Sequence, residues 1–100
     1  MVRMIRIKVH KAEGIVIVAA SDSELVGKKF SQGKIRLDVC EGFYGCEDFE
    51  ESGLVNFLNV CTTANLVGKR AVAIAIKAGF IEKDCVMKID GVPHAHLYRV

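Results

Sequence analysis

The sequence predicts an α+β fold, with a mixed or antiparallel sheet of about five strands and two helices packed on one face. Three observations predict it. The chain opens with strict two-residue alternation. A long apolar segment, Ala64–Gly79, follows near the middle, and a pair of short alternating runs around Asp90-Gly91 closes the chain. The segments therefore read strands first, helices in the centre, and a terminal hairpin last.

In residues 3–10, Ile5, Ile7 and Val9 share one face and Arg6, Lys8 and His10 the other. This is the period of a half-buried strand with a basic outer surface. Lys11–Gly14 reads as a turn. Ile15–Ala20 is apolar on both faces and β-branched, which suits a central strand forming a hairpin with the first. Ser21–Glu24 offers a capped turn, and Leu25–Gly27 a single helical turn closed by glycine. Lys28–Lys34 reads as a basic loop. Ile35, Leu37 and Val39 alternate with Arg36, Asp38 and Cys40 as a third strand. Glu41–Gly45 reads as a glycine-flanked aromatic loop.

Asp48 is placed to cap a helix running to about Val60. Glu50 and Glu51 would sit in its first turn, and Leu54, Phe57, Leu58 and Cys61 along its apolar stripe. Thr62, Thr63 or Asn65 would cap the next helix, which ends at Gly79. Its alanines at 71, 73, 75 and 78 favour helix over strand. Cys85–Ile89 and Ala95–Val100 read as the last two strands.

One hundred residues, 51% of them hydrophobic, are expected to form a single compact domain over 1–100. The net charge of +2 is unevenly distributed. Residues 37–56 carry six acids and no Lys or Arg, whereas residues 1–36 carry eight basic groups against three acids. That asymmetry suits an anionic partner on one side, although charge runs also serve simply as solvated surface. No apolar run exceeds six residues, far short of a membrane span, so no membrane association is expected. The opening residues mix charge with apolar side chains and hold no signal-type stretch, and the four cysteines show no C-x-x-C spacing. The expectation is a cytoplasmic protein with mostly buried free thiols.

No sequence run unites a nucleophile with a base, so no catalytic residue is assigned, the reading leans away from an enzyme, and no cofactor is called for. Cys46 is flanked by Gly45 and the acids Glu47 and Asp48, which suit a thiolate poorly. His94-x-His96 would place two imidazoles on one strand face, a weak metal pair in need of further ligands. A plain polar strand face explains it better. Asn65–Arg70 resembles a capped helix start with two cations, Lys69 and Arg70, one turn in. That is an anion-binding pattern without the signature of a P-loop, and an equally good reading lets Gly68 bring the helix close to the sheet. Leu25–Lys28 recurs as Leu66–Lys69, but the flanks do not align.

Leu25-Val26-Gly27-Lys28-Lys29-Phe30, Gly33–Leu37, Phe43-Tyr44-Gly45, Ala64–Gly68 and Gly91–Ala95 occur in an order that resembles the archaeal domain-of-unknown-function family 424. The resemblance spans essentially the whole chain. It implies a compact cytosolic α+β domain and supplies no catalytic residue.

The residues lead first to a non-enzymatic module that binds RNA or a ribonucleoprotein; an association with translation is what the family resemblance suggests. Lys28, Lys29, Lys34, Arg36, Lys69 and Arg70 would contact phosphate, Asn65 would cap a helix, and Phe43 and Tyr44 would stack on bases. A protein-interaction or homo-oligomeric subunit is the alternative, and a small metal protein or enzyme using His94 and His96 a second. The first expectation requires cations from distant stretches to meet in space.

Overall fold

The computed structural model describes residues 4–98. The elements run β1 (Met4–Ala12), β2 (Ile15–Asp22), β3 (Lys29–Gln32), β4 (Ile35–Asp38), α1 (Glu41–Tyr44), β5 (Asp48–Glu50), α2 (Leu54–Val60), β6 (Thr63–Val67), α3 (Lys69–Lys77), β7 (Met87–Ile89) and β8 (Val92–Tyr98). Short 3₁₀ turns occupy Ser23–Leu25, Glu51–Gly53 and Lys83–Cys85. The main sheet has six strands in the order β5-β1-β2-β6-β8-β7, and β3 and β4 form a separate hairpin. All neighbours are antiparallel except β2 and β6, so the sheet is mixed.

The α+β class holds, with six sheet strands rather than about five. Two of the six, β5 and β6, fall where helix was expected, and the expected third strand at residues 35–40 pairs with β3 in the separate hairpin instead of joining the main sheet. Asp48–Glu50 was expected to begin a helix, but it pairs with Met4–Arg6, and helix begins only at Leu54. The expected helix start at Ala64–Val67 is likewise corrected. Its segment is a strand held between β2 on one side and β8 on the other. Backbone partners on both edges outweigh a modest helix preference. The Lys28–Lys34 loop contains β3, because Phe30 and Leu37 lie opposite each other and anchor a hairpin. Glu41–Tyr44 forms one helical turn. The last strand begins at Val92, and its expected final residues, Arg99 and Val100, lie outside the described residues, as does Arg3.

Two cores flank the sheet. In the larger, Leu54 and Leu58 of α2 and Ala71, Val72 and Ala75 of α3 meet Ile5, Ile7, Val18, Ala20, Leu66 and Leu97. Each fully buried leucine contributes about 2 kcal/mol. Small alanines let α3 lie close to the strands. On the opposite face, Leu37 and Val39 from the hairpin side and Tyr44 of α1 pack on Ala19, Val67 and Ile89. The alternation along β2 (Val18 and Ala20 one way, Ala19 the other) divides the two cores.

Candidate nucleic-acid interface

The basic outer residues of β1 have local work. Arg6 Nη1 donates to the Gly45 carbonyl (3.0 Å), Lys8 Nζ to that of Gly42 (3.1 Å), and His10 Nε2 to that of Phe43 (2.8 Å). Three cationic or imidazole side chains thus satisfy carbonyls around the end of α1, where orphan acceptors and the helix dipole favour them. Arg6 Nε also pairs with Asp48 (2.8 Å), which Ser23 Oγ approaches at 2.6 Å. These bonds hold the Asp48 carboxyl below its ordinary value, that from Ser23 foremost. The Phe43 ring stacks on His10 at 4.9 Å between centroids and meets Tyr44 edge-on at 5.1 Å.

Register then places side chains in rows across this second face. His10, Ile17, Thr63 and Tyr98 form one row, and Lys8, Ala19, Asn65 and His96 the next. Four strands at about 4.8 Å spacing make each row about 14 Å wide. The hairpin and α1 cover the sheet around Ala19, Val67 and Ile89. Toward the far end of β8 the face is open: His96 is exposed, and Tyr98 is 72% exposed. The two rings stack at 6.0 Å with 19° between planes, and His94 meets His96 edge-on at 4.5 Å. Half-burial lowers the His94 pKa, and the neighbouring His96 lowers it further. Among the described residues no group of three or more His, Cys, Asp or Glu converges in a way that could hold a metal ion.

The expected cations fall into two groups. Lys28, Lys29, Lys34 and Arg36 are all exposed on the hairpin side. Lys29 opposes Asp38 and Ser31 opposes Arg36, so these four share the hairpin's outward face, while Phe30 and Leu37 face inward. Gln32 Oε1 accepts from Asp90 N at 2.9 Å and ties the hairpin to the turn between β7 and β8.

Lys69 and Arg70 lie instead in the α3 layer, on the other side of the sheet. Lys69 is exposed, but Arg70 is drawn inward. Its Nη1 and Nη2 meet the two Glu24 oxygens at 2.5 and 2.6 Å, Nη2 donates to the Met4 carbonyl, and Nε lies 3.3 Å from Glu51. Asp22, buried at the end of β2, accepts from the backbone N–H of Arg70 (3.1 Å) and of Ala71 (2.9 Å). The start of α3 is therefore filled by a carboxylate of the chain itself. Burial raises the Asp22 pKa, against the pull of those two N–H groups and of Arg70.

Several single-residue expectations change as a result. Asn65 does not cap α3, because it lies within β6 and Asp22 does the capping. Asn65 instead lies half-buried opposite His96. Tyr44 is 4% exposed and packs in the core, with burial pushing its pKa up to about 12, so its ring is closed to a base. Phe43 is half-buried, and Arg70 is committed to ion pairs. No disulfide joins the four cysteines; Cys61 is buried, its thiol donating to the Leu58 carbonyl, but Cys40, Cys46 and Cys85 are exposed because they sit in loops and at element ends. Tyr98 is the residue that the sequence undervalued. The alternation His94-x-His96-x-Tyr98 marked a polar face, yet gave no sign that the face would stay uncovered.

No helix among the described residues is long and apolar enough to cross a membrane. No curated protein matches the sequence. The fold is similar to that in the crystal structure of an uncharacterized conserved protein from Methanopyrus kandleri, with a TM-score of 0.79 at 22% identity, covering 97% of this chain and 95% of that one. Residues 10–100 match the family described as "Protein of unknown function (DUF424)", and over that span the chain belongs to it.

Proposed function

We propose that this protein is a non-enzymatic module that binds single-stranded RNA, alone or within a ribonucleoprotein, on the open half of its second sheet face. One observation carries the reading: the exposed His96–Tyr98 stack stands on uncovered sheet, on the same side of the molecule as the basic hairpin. An exposed ring pair on a strand offers bases a stacking surface that any sequence can use. Lys28, Lys29, Lys34 and Arg36 supply the phosphate contacts. Asn65, opposite His96, brings a side-chain amide within reach of a stacked base edge. His10 and Phe43 border the floor on the β1 side. Lys69 and Arg70 face the other way and take no part.

The test is fluorescence anisotropy with a short labelled pyrimidine-rich RNA. Binding in the micromolar range at about 50 mM salt is expected, weakening steeply as salt rises. Absence of binding at that salt removes the reading.

A further inference from the structure

We propose that the groove between α3 and the edge strand β7 docks a protein partner that inserts an aliphatic side chain flanked by acidic residues. The groove is open to solvent and has a volume of about 290 Å³. Val72, Ile76 and Val86 form its floor, and Lys69, Lys83 and Lys88 stand around it. All three lysines are exposed, and none makes an ion pair among the described residues. Glu82 and Asp84 flank Lys83 in sequence but do not line the groove. β7 ends the sheet order, so among the described residues no strand pairs with its outer edge, although the β3–β4 hairpin packs near it.

The lining selects the occupant. The floor is aliphatic, with no aromatic ring to stack on a base and no side-chain amide to read one, which disfavours RNA. The site is concave, whereas a bilayer surface would need apolar groups that project. An aliphatic side chain removes the floor from water, and carboxylates on either side of it meet three exposed lysines that make no ion pair among the described residues. The site lies on the opposite side of the sheet from the proposed RNA face, so the two readings stand or fall separately.

The experiment is an NMR titration of the ¹⁵N-labelled protein with synthetic peptides in which one leucine is flanked by glutamates. Saturable shifts are expected at residues 69–76 and 83–93, with Kd below about 1 mM. A matched peptide with serine for leucine should bind about tenfold more weakly, and one with lysines for glutamates should not bind. The double variant Lys83→Glu, Lys88→Glu changes only exposed side chains and should lose the peptide while keeping its RNA affinity. Lys29→Glu with Arg36→Glu should do the reverse. Shifts that do not saturate, equal binding of the serine peptide, or shifts at this groove from RNA or anionic phosphatidylserine vesicles instead of the peptide would each overturn the proposal.

Discussion

The carboxylate of Asp22 occupies the space that a side chain on Gly68 would need. A Cβ built at Gly68 would stand 2.6 and 2.8 Å from the two Asp22 oxygens. Gly68 has φ +103° and ψ 158°, a conformation open essentially to glycine alone, and it turns the chain from β6 into α3. Strain and collision therefore act together in Gly68→Ala. We expect a loss of about 3 kcal/mol in urea unfolding, through displacement of Asp22 from the start of α3. A loss under about 1 kcal/mol would mean that the turn relaxes freely and that the contact does not govern the junction.

Asp22 itself is tested by an ordered pair of variants. Asp22→Ala deletes acceptors for two backbone N–H groups and removes an acid near Arg70, whose Nη1 lies 3.8 Å from it. We expect a cost of about 2 kcal/mol, the upper end for loss of a helix cap. Asp22→Asn keeps one acceptor and should cost about half of that. Equal stability of the three proteins in urea titrations would show that water caps α3 as well as the carboxylate does.

Binding variants separate stacking from charge on the proposed RNA face. Tyr98 is 72% exposed, so Tyr98→Ala should leave the unfolding midpoint unchanged and weaken RNA binding about tenfold, the loss of one stacked base. Lys29→Ala and Arg36→Ala should act through salt. Each should flatten the dependence of log K on log salt by about 0.7 if it contacts one phosphate of a single strand. An unchanged slope in both would place the RNA away from the hairpin.

The parts of the fold that the sequence displayed are those set by local pattern. Alternation marked β1, a continuous β-branched apolar run marked β2, and the Asp90-Gly91 turn adopts positive φ at both residues, as a tight hairpin demands. What stayed hidden depends on partners far along the chain. Ala64–Val67 has the composition of a helix start, and only its pairing with β2 and β8 makes it a strand. The cap of α3 comes from Asp22, 48 residues before Arg70. Arg6, Lys8 and His10 looked like a free basic stripe until α1, 33 to 39 residues later, brought them its carbonyls. The hairpin cations were visible because exposed Lys and Arg need no partner. Their separation from Lys69 and Arg70 was not, since nothing in the sequence says which side of a sheet a crossover takes.

His94 yields a pH dependence with a defined sign. Its pKa lies below the ordinary histidine value, first because it is half-buried and then because of His96. As pH falls through the ordinary imidazole range near 6.5, the unfolded chain takes up this proton before the native protein does. Stability attributable to His94 is thus complete above that range and declines as pH drops toward the folded pKa. Asp48, also lowered, loses its contribution only below its ordinary value of 3.8, and Asp22, raised, acts in the opposite sense from above 3.8. The His94 effect is isolated by comparing wild type with His94→Gln, which carries no charge at either pH. Urea midpoints at about pH 7.5 and pH 5.5 should fall more on acidification in the wild type than in the variant. Equal falls would mean that the imidazole is charged in the native state as readily as in the unfolded chain, and that the β8 face around it is wetter than its half-burial implies.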